Sequence, residues 1–259
     1  MNRKDLARLK TWFDEYVSGY TTNDSEYNYP FRLKIDHTKR VCENIIMIGK
    51  AVNLSDDELI LAETMALFHD IGRFEQYARY STFRDIDSEN HAKLSLRQMA
   101  VHGVLSKNTA DEKRLITKAI GYHNVATLPD VKDEKELFYM RLLRDADKLD
   151  IWKVVIDYYH DRDHFQSTAI ELNLLDDPTW SDHILEAVMN KKIARMKDLK
   201  TLNDFKLLQI SWVFDLNFAP SFKAVENRKY LKQIEATLPQ SPDIADAVAL
   251  AQSYVKSHL

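Results

Sequence analysis

The sequence predicts an all-α protein: an irregular helical bundle with a helical C-terminal extension. Three observations predict it. Glycine and proline are scarce, five and six in 259 residues, which argues against a turn-rich β protein. The prolines, at 30, 129, 178, 220, 239 and 242, fall between periodic segments rather than inside them. The segments themselves carry apolar residues at spacings of three and four, the period of a half-buried helix.

Taken in order, the first helix runs from Arg3 to Ser18, with Leu6, Leu9, Phe13 and Val17 on one face. A polar stretch from Thr21 to Pro30 reads as a loop, and a second helix starts near Asp36-His37. His37, Val41, Ile45, Ile48 and Val52 share its stripe. Ser55-Asp56-Asp57-Glu58 is a capping-box pattern that opens a third helix, whose stripe is Leu59, Ala62, Ala66 and His69. Gly72 suits the left-handed turn that often closes a helix. From Arg73 to Asn90 the aromatics Phe74, Tyr77, Tyr80 and Phe83 show no clear period, and the stretch reads as a long irregular connection.

A fourth helix begins at Ser88 to His91 and carries Leu94, Gln98, Val101 and Leu105. Thr109-Ala110-Asp111-Glu112 is a second capping box, and its helix runs through Ile116, Ala119 and Ile120 to His123. After Pro129 comes the strongest periodic pattern, Leu137, Met140, Arg144, Asp147, Ile151 and Val154, which puts Asp147 on the apolar stripe. Further amphipathic segments follow from about Gln166. Ser241-Pro242 opens the last, with serine at the cap and proline at the first helical position. The expected organisation is a single all-α domain over residues 1–259, with a core at 30–160 and a helical extension at 161–259.

Composition narrows the class. The 36 basic and 40 acidic residues are spread along the chain for a net charge of −4, so no basic field points to a nucleic-acid duplex. No apolar signal core follows Met1-Asn2-Arg3-Lys4-Asp5, and no uninterrupted apolar run spans a bilayer. The single cysteine, Cys42, forms no internal disulfide, which fits a reducing cytoplasm.

The chemistry gathers around Phe68-His69-Asp70-Ile71-Gly72-Arg73, where an imidazole and a carboxylate stand side by side at a helix end. Histidine offers a neutral nitrogen and aspartate an anionic oxygen, a pairing that suits a borderline metal ion. His37, His91, His123 and Asp147 lie on or beside buried stripes of other helices, or at their ends. An unpaired ionised carboxylate in a core is costly, so groups of this kind need partners, and a shared metal would satisfy all six. The gaps of 32, 21, 32 and 24 residues are each about one helix plus one connection, which allows neighbouring helices to present their ends to one centre.

The ordered set resembles the HD-domain metal-dependent phosphohydrolases. The resemblance is carried by Asp36-His37-Thr38, by Ala66-Leu67-Phe68-His69-Asp70-Ile71-Gly72-Arg73, and by Arg144-Asp145-Ala146-Asp147-Lys148-Leu149-Asp150, and covers roughly residues 30–160. Asn90-His91-Ala92 and Gly121-Tyr122-His123-Asn124 look like the two further histidines of the branch that holds two metals. The resemblance implies that His37, His69, Asp70 and Asp147 bind one divalent ion, while Asp70 bridges to a second held by His91 and His123. Iron, manganese or another transition metal suits these donors, and magnesium is also compatible. Two ions roughly 3.5–4 Å apart share a water that serves as the hydroxide nucleophile on phosphorus.

By the same resemblance the substrate is a small phosphorylated molecule or nucleotide. Arg73 is the expected catalytic cation. Arg73, Gln76, Arg144 and Lys148 are the expected substrate contacts. Two alternatives use the same residues: a di-iron oxygenase of the myo-inositol oxygenase-like branch, and a non-catalytic nucleotide-binding regulatory module. A cyclic-dinucleotide phosphodiesterase of the HD-GYP type fits less well, because His123 follows Gly121-Tyr122 where a proline is expected.

Overall fold

The computed structural model describes residues 1–259 and consists of thirteen α-helices, three short 3-10 turns and no β-strand. Leu175 and Thr201 form an isolated β-bridge. Two compact units divide the chain, residues 1–150 and 151–259. No helix is long and apolar enough to cross a membrane.

The first unit contains α1 (Arg3–Ser18), α2 (Tyr29–Ala51), α3 (Asp56–Phe68), α4 (Gly72–Tyr80), α5 (His91–Val101), α6 (Ala110–Tyr122) and α7 (Glu134–Asp161) as far as residue 150. The expected capping boxes are present: Ser55 and Glu58 cap α3, and Thr109 and Glu112 cap α6. Asn2 and Asp5 form a further one on α1. Each such cap satisfies backbone amides that would otherwise lack partners and is worth about 1 kcal/mol.

Three sequence expectations change. Helix α2 starts at Tyr29 rather than near Asp36, because Pro30 falls in its first turn, where a fixed φ and a missing N–H are harmless. The added turns bring Phe31 into the core and carry Lys34. The stretch from Arg73 to Asn90 is not irregular throughout: α4 occupies its first half and a 3-10 turn spans Asp85–Asp87. Phe74 is fully buried against Phe13 and Phe31, so this short helix is fixed by aromatic packing rather than by a repeating stripe.

Third, Gly72 does not close a helix in the left-handed region; it opens α4. A Cβ there would lie 2.4 Å from the Ser95 amide nitrogen and 2.7 Å from the His91 carbonyl oxygen, so glycine is required by the close approach of α5. The left-handed glycine is Gly103, at φ 57° beyond the end of α5. Ser95 fastens the same junction. Its hydroxyl accepts from the Gly72 amide at 2.9 Å and donates to the His69 carbonyl at 2.8 Å. Between Tyr139 and Asp150, α7 is buried on almost every side, with Leu142, Leu143, Ala146 and Leu149 among the core residues.

The second unit holds the remainder of α7 with α8 (Thr168–Glu171), α9 (Asp182–Met189), α10 (Leu202–Ser211), α11 (Ala219–Asn227), α12 (Tyr230–Glu235) and α13 (Pro242–Lys256). Trp152 is fully buried here and donates its indole N–H to the Gln209 carbonyl at 3.0 Å. The buried Asp204 accepts from the Ser181 and Lys200 amides and ties the start of α9 to that of α10. Pro242 sits in the first turn of α13 as expected, although the Ser241 side chain makes no cap bond.

Candidate metal centre

Five helix ends or faces of the first unit meet at one point. His37 comes from the middle of α2, and His69 and Asp70 from the turn that joins α3 to α4. His91 is the first residue of α5, His123 caps the end of α6, and Asp147 lies on α7. All six predicted ligands are therefore brought together. The four histidines and Asp70 are buried, and the Asp147 side chain retains 13% of its surface.

Each histidine is held from behind through Nδ1. His69 and His123 face the carbonyl oxygens of Ala66 and Ile120, both at 2.7 Å. A carbonyl can only accept, so Nδ1 carries the proton and Nε2 carries a lone pair. His37 Nδ1 lies 2.7 Å from Asp150, whose carboxylate also receives Arg40 at 2.5 Å. His91 Nδ1 lies 2.8 Å from both oxygens of Asp85. All four Nε2 atoms consequently point into the centre, where a cation would take up their lone pairs, the arrangement in which backing groups orient metal-binding imidazoles.

These nitrogens face one another. His37 Nε2 is 3.2 Å from His69 Nε2, and His91 Nε2 is 3.0 Å from His123 Nε2. Asp70 stands between the pairs. Its Oδ2 is 3.6 and 3.7 Å from His37 and His69, and its Oδ1 is 3.6 and 3.7 Å from His91 and His123. Asp147 Oδ1 completes the first pair, 3.1 Å from His37 Nε2 and 3.5 Å from His69 Nε2. Asp70 Oδ1 is buried without a hydrogen-bond partner. Ligands about 2.1 Å from one ion at right angles are about 3 Å apart, so separations in this range are those a shared cation produces. Overlapping donor groups are His37 with His69 and Asp70, His69 with His123 and Asp147, and Asp70 with His91 and His123. The orphaned oxygen and the converging lone pairs fit a divalent metal.

The local electrostatics agree. Burial opposes ionisation of Asp70, but Lys34, His69 and Arg73 hold its carboxyl well below the ordinary range. Asp147 is likewise held low against burial by His37 and His69. Burial, reinforced by the Arg73 charge, lowers His91 to about 4 despite the nearby Asp85, so its ring is a neutral donor at neutral pH.

Residues 35–152 match the family model of the HD domain, a span that contains His37, the His69-Asp70 pair and Asp147. The chain carries an HD domain. No curated protein and no solved structure matches it. Within this HD domain the cluster provides for divalent metal binding.

The expected substrate contacts are placed differently from one another. The Arg73 guanidinium reaches Gln76, the Phe83 carbonyl and Asp85 through Nη1, while its Nε is buried and unpartnered 3.5 Å from Asp70 Oδ1. Gln76 is fully buried. Its amide nitrogen donates to Asp85, Ser88 and the Glu89 carbonyl, and its oxygen accepts from Arg73. Gln76 thus braces the segment before α5, and its amide is already occupied. Arg144 is buried and donates to the carbonyls of His123 at 3.0 Å and Val125 at 2.6 Å, which fixes the chain around His123. Lys148 is buried on α7 directly after Asp147.

Sequence reasoning missed Lys34, Asp85, Asp150 and Asn124. Lys34 donates to Asp70 Oδ2 at 2.8 Å. It precedes His37 by one helical turn, and that spacing was the available signal. Asp150 follows Asp147 by one turn in the same way. Asp85 and Asn124, joined at 3.2 Å, carried no local signal because their roles depend on distant partners.

Asp85 is also held near a pKa of about 2, burial being outweighed by His91 and Arg73. Asp85→Asn exchanges a purely accepting group for an amide and loosens the His91 ring. The expected result is 10–100-fold weaker binding at the His91–His123 side, with tighter binding at the His37–His69 side retained. Calorimetric titration of Mn²⁺ into metal-free protein distinguishes the two; unaltered binding at both would remove Asp85 from the site.

Proposed function

We propose that the HD domain is a metal-dependent phosphohydrolase that cleaves a small phosphate ester or nucleotide with two transition-metal ions. The observation that carries this reading is the placement of Asp70, with one oxygen toward each histidine pair and two cations, Lys34 and Arg73, beside it. Nitrogen and carboxylate donors in this ratio suit manganese or iron better than magnesium. When bound, such ions supply Lewis acidity and activate a water at neutral pH.

The protein's own groups do the rest. Asp150 and Asp85 keep the His37 and His91 rings in the donor tautomer, and the Ala66 and Ile120 carbonyls do so for His69 and His123. Arg73, pinned through Nη1, holds positive charge beside the position a phosphoryl oxygen would take, the electrostatic role that dominates phosphoryl transfer. Lys148 is a further candidate for the phosphate. The balanced overall charge supports a small substrate rather than a nucleic-acid duplex.

The test is phosphate release from a panel of phosphomonoesters and nucleotides by protein reconstituted with Mn²⁺ or Fe²⁺. Hydrolysis should stop on chelation and return with metal. Oxygen uptake by the iron-loaded protein without phosphate release would replace this reading with the oxygenase one.

A further inference from the structure

Two cations touch Asp70, and they are held in different ways. Arg73 is anchored by Gln76, the Phe83 carbonyl and Asp85, so it stays in place whatever happens at the carboxylate. Lys34 has Asp70 Oδ2 as its hydrogen-bond and ion-pair partner, at 2.8 Å, and its ammonium lies 5.4 Å from the centre of the Phe83 ring. Its side chain is 16% exposed against 4% for Asp70, so the ammonium sits between the buried carboxylate and solvent. Oδ2 is also the oxygen that faces His37 and His69. Serving both an ammonium and a divalent ion would place two cations within about 5 Å of each other at one oxygen, so the two compete for it.

We propose that Lys34 is an exchangeable counter-ion: it neutralises Asp70 while the centre is metal-free, is displaced from Oδ2 when metal binds, and then grips the phosphate of the substrate. A buried carboxylate needs a compensating charge when no metal is present, and Lys34 supplies it. Displacement leaves a compact ammonium on a flexible four-carbon stem at the mouth of the centre, suited to a phosphate oxygen as a point charge. Metal and anionic ligand are thereby coupled through one side chain, since binding the first releases the group that binds the second. The part of this inference that concerns phosphate rests on the phosphohydrolase reading; the competition with metal does not.

The test compares wild type, Lys34→Met and Lys34→Arg in two calorimetric titrations: Mn²⁺ into metal-free protein, and inorganic phosphate into Mn²⁺-loaded protein. Lys34→Met removes the competitor and keeps the stem. It should bind Mn²⁺ about tenfold more tightly and phosphate at least about tenfold more weakly. Lys34→Arg should recover most of the phosphate affinity. Lys34→Gln serves in place of the methionine variant if that one does not fold. Unchanged or weaker Mn²⁺ binding in the neutral variant overturns the counter-ion role, and unchanged phosphate binding overturns the exchange. Neither titration involves turnover. A wild type that binds phosphate but hydrolyses no ester therefore overturns the phosphohydrolase reading separately.

Discussion

Asp70→Asn is expected to leave the protein folded but without metal and without turnover. Bound metal should fall below about a tenth of the wild-type content, and phosphate release by at least about 10³-fold. The substitution keeps the shape of the side chain and removes its charge. Asp70 is the one group that faces both histidine pairs, Oδ2 toward His37 and His69 and Oδ1 toward His91 and His123. An amide presents a single neutral oxygen, and its NH₂ is a donor aimed where an ion would need a lone pair. That same donor can bond to the free Nε2 atoms, so the metal-free fold should tolerate the change. Loss of metal with unchanged circular dichroism is the expected pair of measurements. Wild-type metal content and turnover in the folded variant would rule out Asp70 as the bridging ligand.

The six clustered residues were legible in the sequence because few residue types suit a metal site. A histidine on an apolar helical face and a His-Asp pair at a helix end stood out beside the resemblance to the HD-domain pattern, and capping boxes marked where α3 and α6 begin. The helical phase of Asp147 was a weaker guide than it looked: α7 is buried nearly all round at this level, and Asp145 is more deeply buried than Asp147. What distinguishes Asp147 is its approach to His37 and His69, which only the fold provides.

The groups that support the ligands were less legible. A lysine one turn from a histidine has the pattern of an ordinary solvated helix face, and Lys34 differs only because Asp70 lies opposite. Gln76 and Arg73 stand beside the metal pair in sequence, which made both appear to be substrate contacts. Packing turns most of their polar atoms toward the 83–89 segment instead. Arg73 keeps its Nε side toward Asp70, and Gln76 braces the Asp85 carboxylate that holds His91.

Gly72→Ala is expected to destabilise the protein by about 3 kcal/mol or more and to disturb the His91 side of the centre. The added methyl would meet the Ser95 amide nitrogen at 2.4 Å, the His91 carbonyl oxygen at 2.7 Å and the Leu94 carbonyl carbon at 2.8 Å. These are backbone atoms of one helix turn, so no side-chain rotation relieves the contact and α5 has to move away from α4. His91 is the first residue of that turn, and the Ser95 hydroxyl joins it to the Gly72 amide and the His69 carbonyl. Metal–ligand distances tolerate only about 0.2 Å, so a shift that relieves the clash separates His91 from Asp70 and His123. The sign of the stability change is decisive. Were Gly72 an ordinary helical glycine, alanine would stabilise the helix by up to about 1 kcal/mol. Urea unfolding of the metal-free variant measures that sign, and metal analysis of the folded fraction measures the site. A variant as stable as wild type with its full metal content would show that α4 and α5 can separate without cost, and that the centre does not depend on their contact.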